Sequence, residues 1–77
     1  MKLTYDPKHN VAYLHLRDAP EQVDTIRLSE ELNVDMAPDG TVYGIEFLNA
    51  NEQLASSGLL EVVNEDSGKS TSIKLTG

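Results

Sequence analysis

"LNVDMAPDGTVYGIEFLNA", residues 32–50, breaks its hydrophobic alternation at a turn and drops it after Phe47, and those two points decide the fold. Leu32, Val34 and Met36 alternate with Asn33 and Asp35, the period of a half-buried strand. "APDGT" then supplies a turn: Pro38 presets φ at one central position and Gly40 accepts the positive φ that closes a hairpin. In the strand that follows, Tyr43, Ile45 and Phe47 share one face while Val42, Gly44 and Glu46 share the other. Ile45 is therefore a core residue, and Glu46 escapes the desolvation cost of a buried charge. Gly44 marks a bulge or a place where another backbone or side chain comes close. After Phe47 the alternation stops. "LNANEQLA" reads as a short helix with Asn49 or Asn51 as cap and Glu52 in the first turn.

Upstream, Ile26 and Leu28 alternate in "VDTIRL", giving a strand joined to Leu32–Met36 near Ser29 to Glu31; a helix across "LSEEL", capped by Ser29, is the competing reading. Nearer the start, "KLTY" and "VAYLHLR" flank "DPKHN", whose Asp6, Pro7 and Asn10 are turn residues. Ala12, Leu14 and Leu16 point one way in the second of these strands, and Val11, Tyr13, His15 and Arg17 the other. Pro20 in "DAPEQ" ends it by removing a backbone donor. Downstream, "LLEVV" and "TSIKL" surround "NEDSGKS", a C-terminal hairpin or a frayed tail. The expected fold is α+β: a curved antiparallel sheet of about four to five strands with a short helix after the Gly-Ile-Glu strand. Residues 1–55 form the domain and 56–77 a C-terminal extension, hairpin or flexible tail.

Seventy-seven residues allow one domain, and folding at that size hides only roughly 60% of the surface of the unfolded chain. The absence of cysteine removes disulfides and thiolate metal sites, so stability rests on apolar packing helped by self-association. A reducing cytoplasm is the matching compartment. No apolar stretch approaches the ~20 residues of a bilayer span, so no membrane partner is expected.

The net charge is −7, and it is unevenly spread. Residues 18–66 hold twelve acids against the single base Arg27, whereas the ends carry Lys2, Lys8, Arg17, Lys69 and Lys74 against Asp6. Such a body repels phosphate backbones, which excludes nucleic acid as a partner. Such charge steers basic proteins toward the surface at long range or serves only to keep a small domain soluble.

Motifs that carry chemistry are sparse. There is no phosphate loop and no nucleophile elbow, His9 and His15 lack a metal-binding spacing, and "VDMAPDG" lacks the ligand register of a calcium loop. No catalytic residue, metal or cofactor is expected. Asp39 reads as a turn residue and Asp35 as outward-facing. Tyr13, His15 and Arg17 share a face that sheet pairing could bring beside Asp35, Asn33 or Glu46. Carboxylate, imidazole and phenol together can do acid–base work or hold a ligand; the alternative is a solvated face of cross-strand pairs. Tyr13, His15, Arg17, Asp35 and Glu46 are thus the candidate binding residues, with Gly40, Gly44 and Ile45 in structural roles.

"TYDPKHNVAYLHL" and "NVDMAPDGTVYGIEFLNA" together resemble the YuzE-like family of small prokaryotic domains of unknown function, DUF2283. The resemblance runs over roughly residues 2 to 54 and rests on Tyr5, Asp6, Tyr13, Leu14, Leu16, Asp35, Asp39, Gly40, Gly44, Ile45, Glu46 and Ala50. Asn10 departs from it, since the family often has an acid there. The resemblance implies a curved antiparallel sheet with a helix on one face, and an antitoxin-like role beside a small basic ribonuclease-type toxin. Three functions follow: a protein-binding module for a basic partner, a self-associating homodimer pairing through the open face with Val11, Tyr13 and Val42 or through a sheet edge, and a small ligand or acid–base site.

Overall fold

The computed structural model describes residues 1–18, 22–54 and 58–75. Its strands are β1 (Lys2–Asp6), β2 (Val11–His15), β3 (Asp24–Arg27), β4 (Leu32–Met36) and β5 (Val42–Leu48), followed by the single turn of helix α1 (Ala50–Gln53) and by β6 (Leu59–Val63) and β7 (Ser70–Lys74). The first five form one antiparallel sheet in the order β1-β2-β5-β4-β3, and β6 and β7 form a separate hairpin. The α+β expectation holds in broad terms, with far more sheet than helix. Alternation in "VDTIRL" wins over the helix across "LSEEL" because Leu28 and Ser29 N–H both donate to the Leu32 carbonyl, turning the chain back into β4. The break at Pro20 lies outside the described residues, as do Ala55 at the end of "LNANEQLA" and Ser56 and Ser57 beyond it.

The turns behave as their residues dictate. Between β1 and β2, Asp6 accepts from the Lys8 and His9 N–H groups and pairs with the His9 ring at 2.7 Å. That hydrogen bond to His9 holds the Asp6 carboxyl below its ordinary range. Between β4 and β5, Gly40 has φ +91° and its N–H donates to the Ala37 carbonyl; a side chain would be strained there. Asp39 accepts from the Thr41 N–H, which lowers its pKa in the same way.

Neither asparagine expected to cap the helix does so with its own side chain. Asn49 sits at the N-cap position with φ 53°, and its side chain reaches Glu52 instead. The capping comes from the turn before the neighbouring strand β2. Asn10, itself at φ 57°, accepts from the Asn51 N–H at 2.8 Å, while its backbone carbonyl accepts from the Ala50 N–H. Its amide donates to the Asn49 and Asn51 side chains. An asparagine can accept and donate there at once, whereas an ionised acid could only accept. Gln53 closes the other end of the turn of helix by donating to the Glu31 and Leu48 carbonyls.

Register places the core. Leu3 faces Leu14, Leu14 faces Ile45, Ile45 faces Val34, and Val34 faces Ile26, so these residues run across one side of the sheet from edge to edge. Ile45 stands at the centre of that row. The row is incompletely covered: the buried apolar residues are Ala12, Val34 and Ala50, and no large side chain is fully enclosed among the described residues. The hairpin leans over one part of this side, where Leu60, Ile73, Lys74 and Leu75 join Leu3, Tyr5, Ala12, Ala50 and Leu54 around a cavity of about 300 Å³. Val62 shares the hairpin face of Leu60 but is 55% exposed.

Candidate functional site

The opposite side of the sheet carries the candidate residues. β2 brings Tyr13 and His15, β4 brings Asn33 and Asp35, and β5 brings Gly44 and Glu46. Tyr13 faces Glu46 across β2 and β5, while His15 on β2 and Asp35 on β4 both face Gly44. Gly44 is therefore the gap over which residues from two flanking strands can meet. Tyr13 fills it: its ring lies across the Gly44 Cα, where any Cβ would overlap the phenol. Its hydroxyl donates to Asp35 Oδ2, two strands away. The backbone is irregular at the same place, since Asp35 pairs with Gly44 and Met36 with Val42, leaving Tyr43 without a β4 partner. The close-approach reading of Gly44 is realised, and the bulge falls on its neighbour Tyr43.

Asp35 is saturated from both sides. Tyr13 donates to one oxygen and Thr25 of β3 donates to the other at 2.6 Å. Glu46 is held in a parallel way by the Asn33 amide at 2.8 Å. Both acids face away from the core and are half-buried rather than fully solvated. The Tyr13 phenol responds to these surroundings. Burial, then the hydrogen bond to Asp35, then the charges of Asp35 and Glu46 push its pKa up to about 12. Each of these disfavours the phenolate. At neutral pH, Tyr13 is a hydrogen-bond donor, not a base.

The five candidate residues do not form one cluster. Tyr13 and Asp35 are joined directly, Glu46 stands beside Tyr13 in register, and the His15 ring packs against the Tyr13 ring at 4.4 Å with a 57° tilt. No hydrogen bond or ion pair joins His15 to either carboxylate among the described residues. Arg17 leaves the sheet beyond β2 and sits over the Tyr43 ring, 5.9 Å from its centre. Thr25 and Asn33 are the partners that reading single strands missed or did not assign. Their signal was cross-strand parity: once Ile26 is set opposite Val34, Thr25 must fall opposite Asp35 on the other side.

No group of three or more His, Cys, Asp or Glu suited to a metal occurs among the described residues. None of the described helices is long and apolar enough to cross a membrane. No curated relative and no solved structure matches the chain. The Tyr13–Gly44–Asp35 crossing joins residues on β2, β4 and β5, all within the segment, residues 2–51, matched by the model for "Protein of unknown function (DUF2283)", and the chain belongs to that family.

Proposed function

We propose that this domain is a self-associating module that buries the apolar side of its five-stranded sheet against a second copy of the chain. Surface area carries the reading. The chain exposes 5753 Å², whereas a folded monomer of its mass exposes about 4,650 Å². The surplus of about 1,100 Å² compares with the roughly 800 Å² that each partner contributes to a stable interface. The radius of gyration, 14.0 Å, likewise exceeds the about 11.5 Å of a compact chain of this length. Several exposed apolar groups lie on the apolar side, Ile26 and Leu60 at 40% and Val62 in the same layer, while Leu59 and Val63 are exposed on the hairpin's outer face. Val11 and Tyr13, from which an open polar face was expected to pair, are half-buried, and Val42, expected on that face, pairs in register with Met36 on the apolar side.

A second copy suits this side despite the charge of −7. Within the five-stranded sheet Asp6, Asp35 and Glu46 lie on the polar side and Asp24, at a corner of the edge strand, is the acid on the apolar side, where Lys74 of the hairpin also lines the cavity. Apposition of two copies therefore brings apolar surface together without stacking the acidic segments. Sedimentation equilibrium up to about 1 mM chain reads the result. The expected mass is twice 8.5 kDa, and Ile26→Lys, at an exposed edge position, lowers the association constant more than about tenfold while leaving the circular dichroism unchanged. A single-chain mass throughout the series overturns the proposal.

A second reading, an antitoxin-like counterpart of a basic protein, is favoured by charge. Asp24, Glu30, Glu31, Glu52, Glu61, Glu65 and Asp66 are exposed, and the one ion pair among the described residues joins His9 to Asp6, outside the acidic segment. Capture from cell extract at low salt, repeated at high salt, tests it: one small basic protein lost at high salt supports this reading, and retention unchanged by salt removes it.

A further inference from the structure

A second cavity, of about 510 Å³, opens around the end of the sheet where β1 starts, β2 finishes and β5 starts, with Leu16 and Tyr43 lining it beside Tyr13 and His15. Its walls include Lys2, Tyr13, His15, Arg17, Tyr43 and Asp18. Two features of this wall are independent of each other. One is charge: in a chain with six lysines and arginines against thirteen acids, Lys2 and Arg17 both border this cavity with Asp18 as the one acid in its lining. Neither cation has an ion-pair partner among the described residues. The other is a wall of flat rings. Tyr13 and His15 pack against each other at 4.4 Å, and Tyr43 lies under the Arg17 guanidinium.

The backbone explains why these groups converge. Lys2 faces His15 across β1 and β2, which puts both on one side of the sheet. The Leu16 N–H donates to the Tyr43 carbonyl at 3.0 Å, the last rung between β2 and β5, after which Arg17 turns off the sheet above Tyr43. Tyr13 has its hydroxyl committed to Asp35, so it offers the cavity the body of its ring. Cations at the mouth and aromatic surface in the wall match a ligand with a charged head and a flat body.

We infer that this cavity binds a small organic anion, with a carboxylate or phosphate head between Lys2 and Arg17 and a planar body against Tyr13, His15 and Tyr43. The site shares no lining residue with the apolar cavity under the hairpin, and ligand binding and self-association are read by different measurements, so either can fail without the other. Asp35 and Glu46 take no part in it, being absent from its lining.

Four probes separate the parts of the inference: phenyl phosphate, benzoate, inorganic phosphate and benzyl alcohol, each titrated into the full chain while the ring resonances of His15 and Tyr13 are followed by NMR. Phenyl phosphate or benzoate, or both, should shift these resonances along a saturable curve with Kd on the order of 1 mM; which of the two binds more tightly assigns the head. The double variant Lys2→Gln, Arg17→Gln should weaken binding about tenfold or more. Both side chains are exposed, so the unperturbed resonances of the core serve as the control for folding. Inorganic phosphate and benzyl alcohol, lacking the body and the charge respectively, should bind at least about tenfold less tightly. The inference is overturned if neither aromatic anion gives saturable shifts, if the double variant binds as well as the wild type, or if either incomplete probe matches the aromatic anions.

Discussion

Ile45 and Gly44 are neighbours on β5 that point to opposite sides of the same sheet, and the two sides are stabilised by different means. On the side of Ile45 the row from Leu3 to Ile26 depends on area removed from water, a contribution without direction that grows with whatever covers it. On the side of Gly44 the groups are tied in pairs: Tyr13 and Thr25 to Asp35, and Asn33 to Glu46. The polar side is complete within one chain. The apolar side is not, because the hairpin of β6 and β7 leans over only part of it and Ile26 and Val62 remain exposed. A small domain can therefore be locally specified on one face and still depend on a partner for the other.

Truncating the centre of the apolar row should have the largest effect. Ile45→Ala removes the residue that touches both flanking strands in register, facing Leu14 and Val34, and should cost about 3 kcal/mol in a denaturant melt. Under the proposed self-association, stability also rises with protein concentration in the wild type. The Ile45→Ala midpoint should move less steeply with concentration than the wild-type midpoint. Equal slopes would separate the apolar row from assembly.

Much of this contrast was legible in the sequence, and its gaps have physical causes. Alternation placed Leu32, Val34, Met36, Ile45 and Phe47, and "APDGT" placed its turn, because both are local signals. It also put Tyr13, Asp35 and Glu46 each on the outward face of its own strand. What alternation lacks is register, and register is what gives Asp35 to Tyr13 and Thr25 and gives Glu46 to Asn33. Asn10 shows the same limit at longer range. Its sequence context announced a turn, but its bonds to Asn49 and Asn51 span about forty residues and depend on β2 lying beside β5. Extent of cover was the least legible feature, since periodicity marks which side is apolar and says nothing of how much lies over it.

The polar side is tested next by Gly44→Ala. The new Cβ occupies space held by the Tyr13 ring, so the ring must swing away and surrender its hydrogen bond to Asp35. The cost should be about 2 kcal/mol. In a Tyr13→Ala background the obstruction is gone, and the same substitution should be neutral or stabilising by up to about 1 kcal/mol, because glycine is a poor strand residue when nothing requires it. Additive effects in this double-mutant cycle would mean that Gly44 serves some purpose other than admitting Tyr13.

The smallest effect at neutral pH isolates the phenol. Tyr13→Phe keeps the ring over Gly44 and removes the hydroxyl, leaving Thr25 as the donor to Asp35, and should cost about 1 kcal/mol. Its pH dependence is more diagnostic than its size. Folding raises the Tyr13 pKa from 10.0 to about 12, so the folded chain holds that proton more tightly than the unfolded chain does. The stabilisation is fully present below the unfolded value and disappears as pH rises through the folded one. Between those limits the unfolded chain ionises first, and above them the folded chain must set a phenolate against the Asp35 carboxylate. The stability difference between wild type and Tyr13→Phe should accordingly be constant up to about pH 9 and shrink from about pH 10 to about pH 12. Subtracting the variant's phenolate absorbance titration from that of the wild type isolates the ionisation of Tyr13. If that ionisation occurs at the ordinary tyrosine value, the bond to Asp35 does not hold the ring in solution, and the polar side loses the tie that closes the space over Gly44.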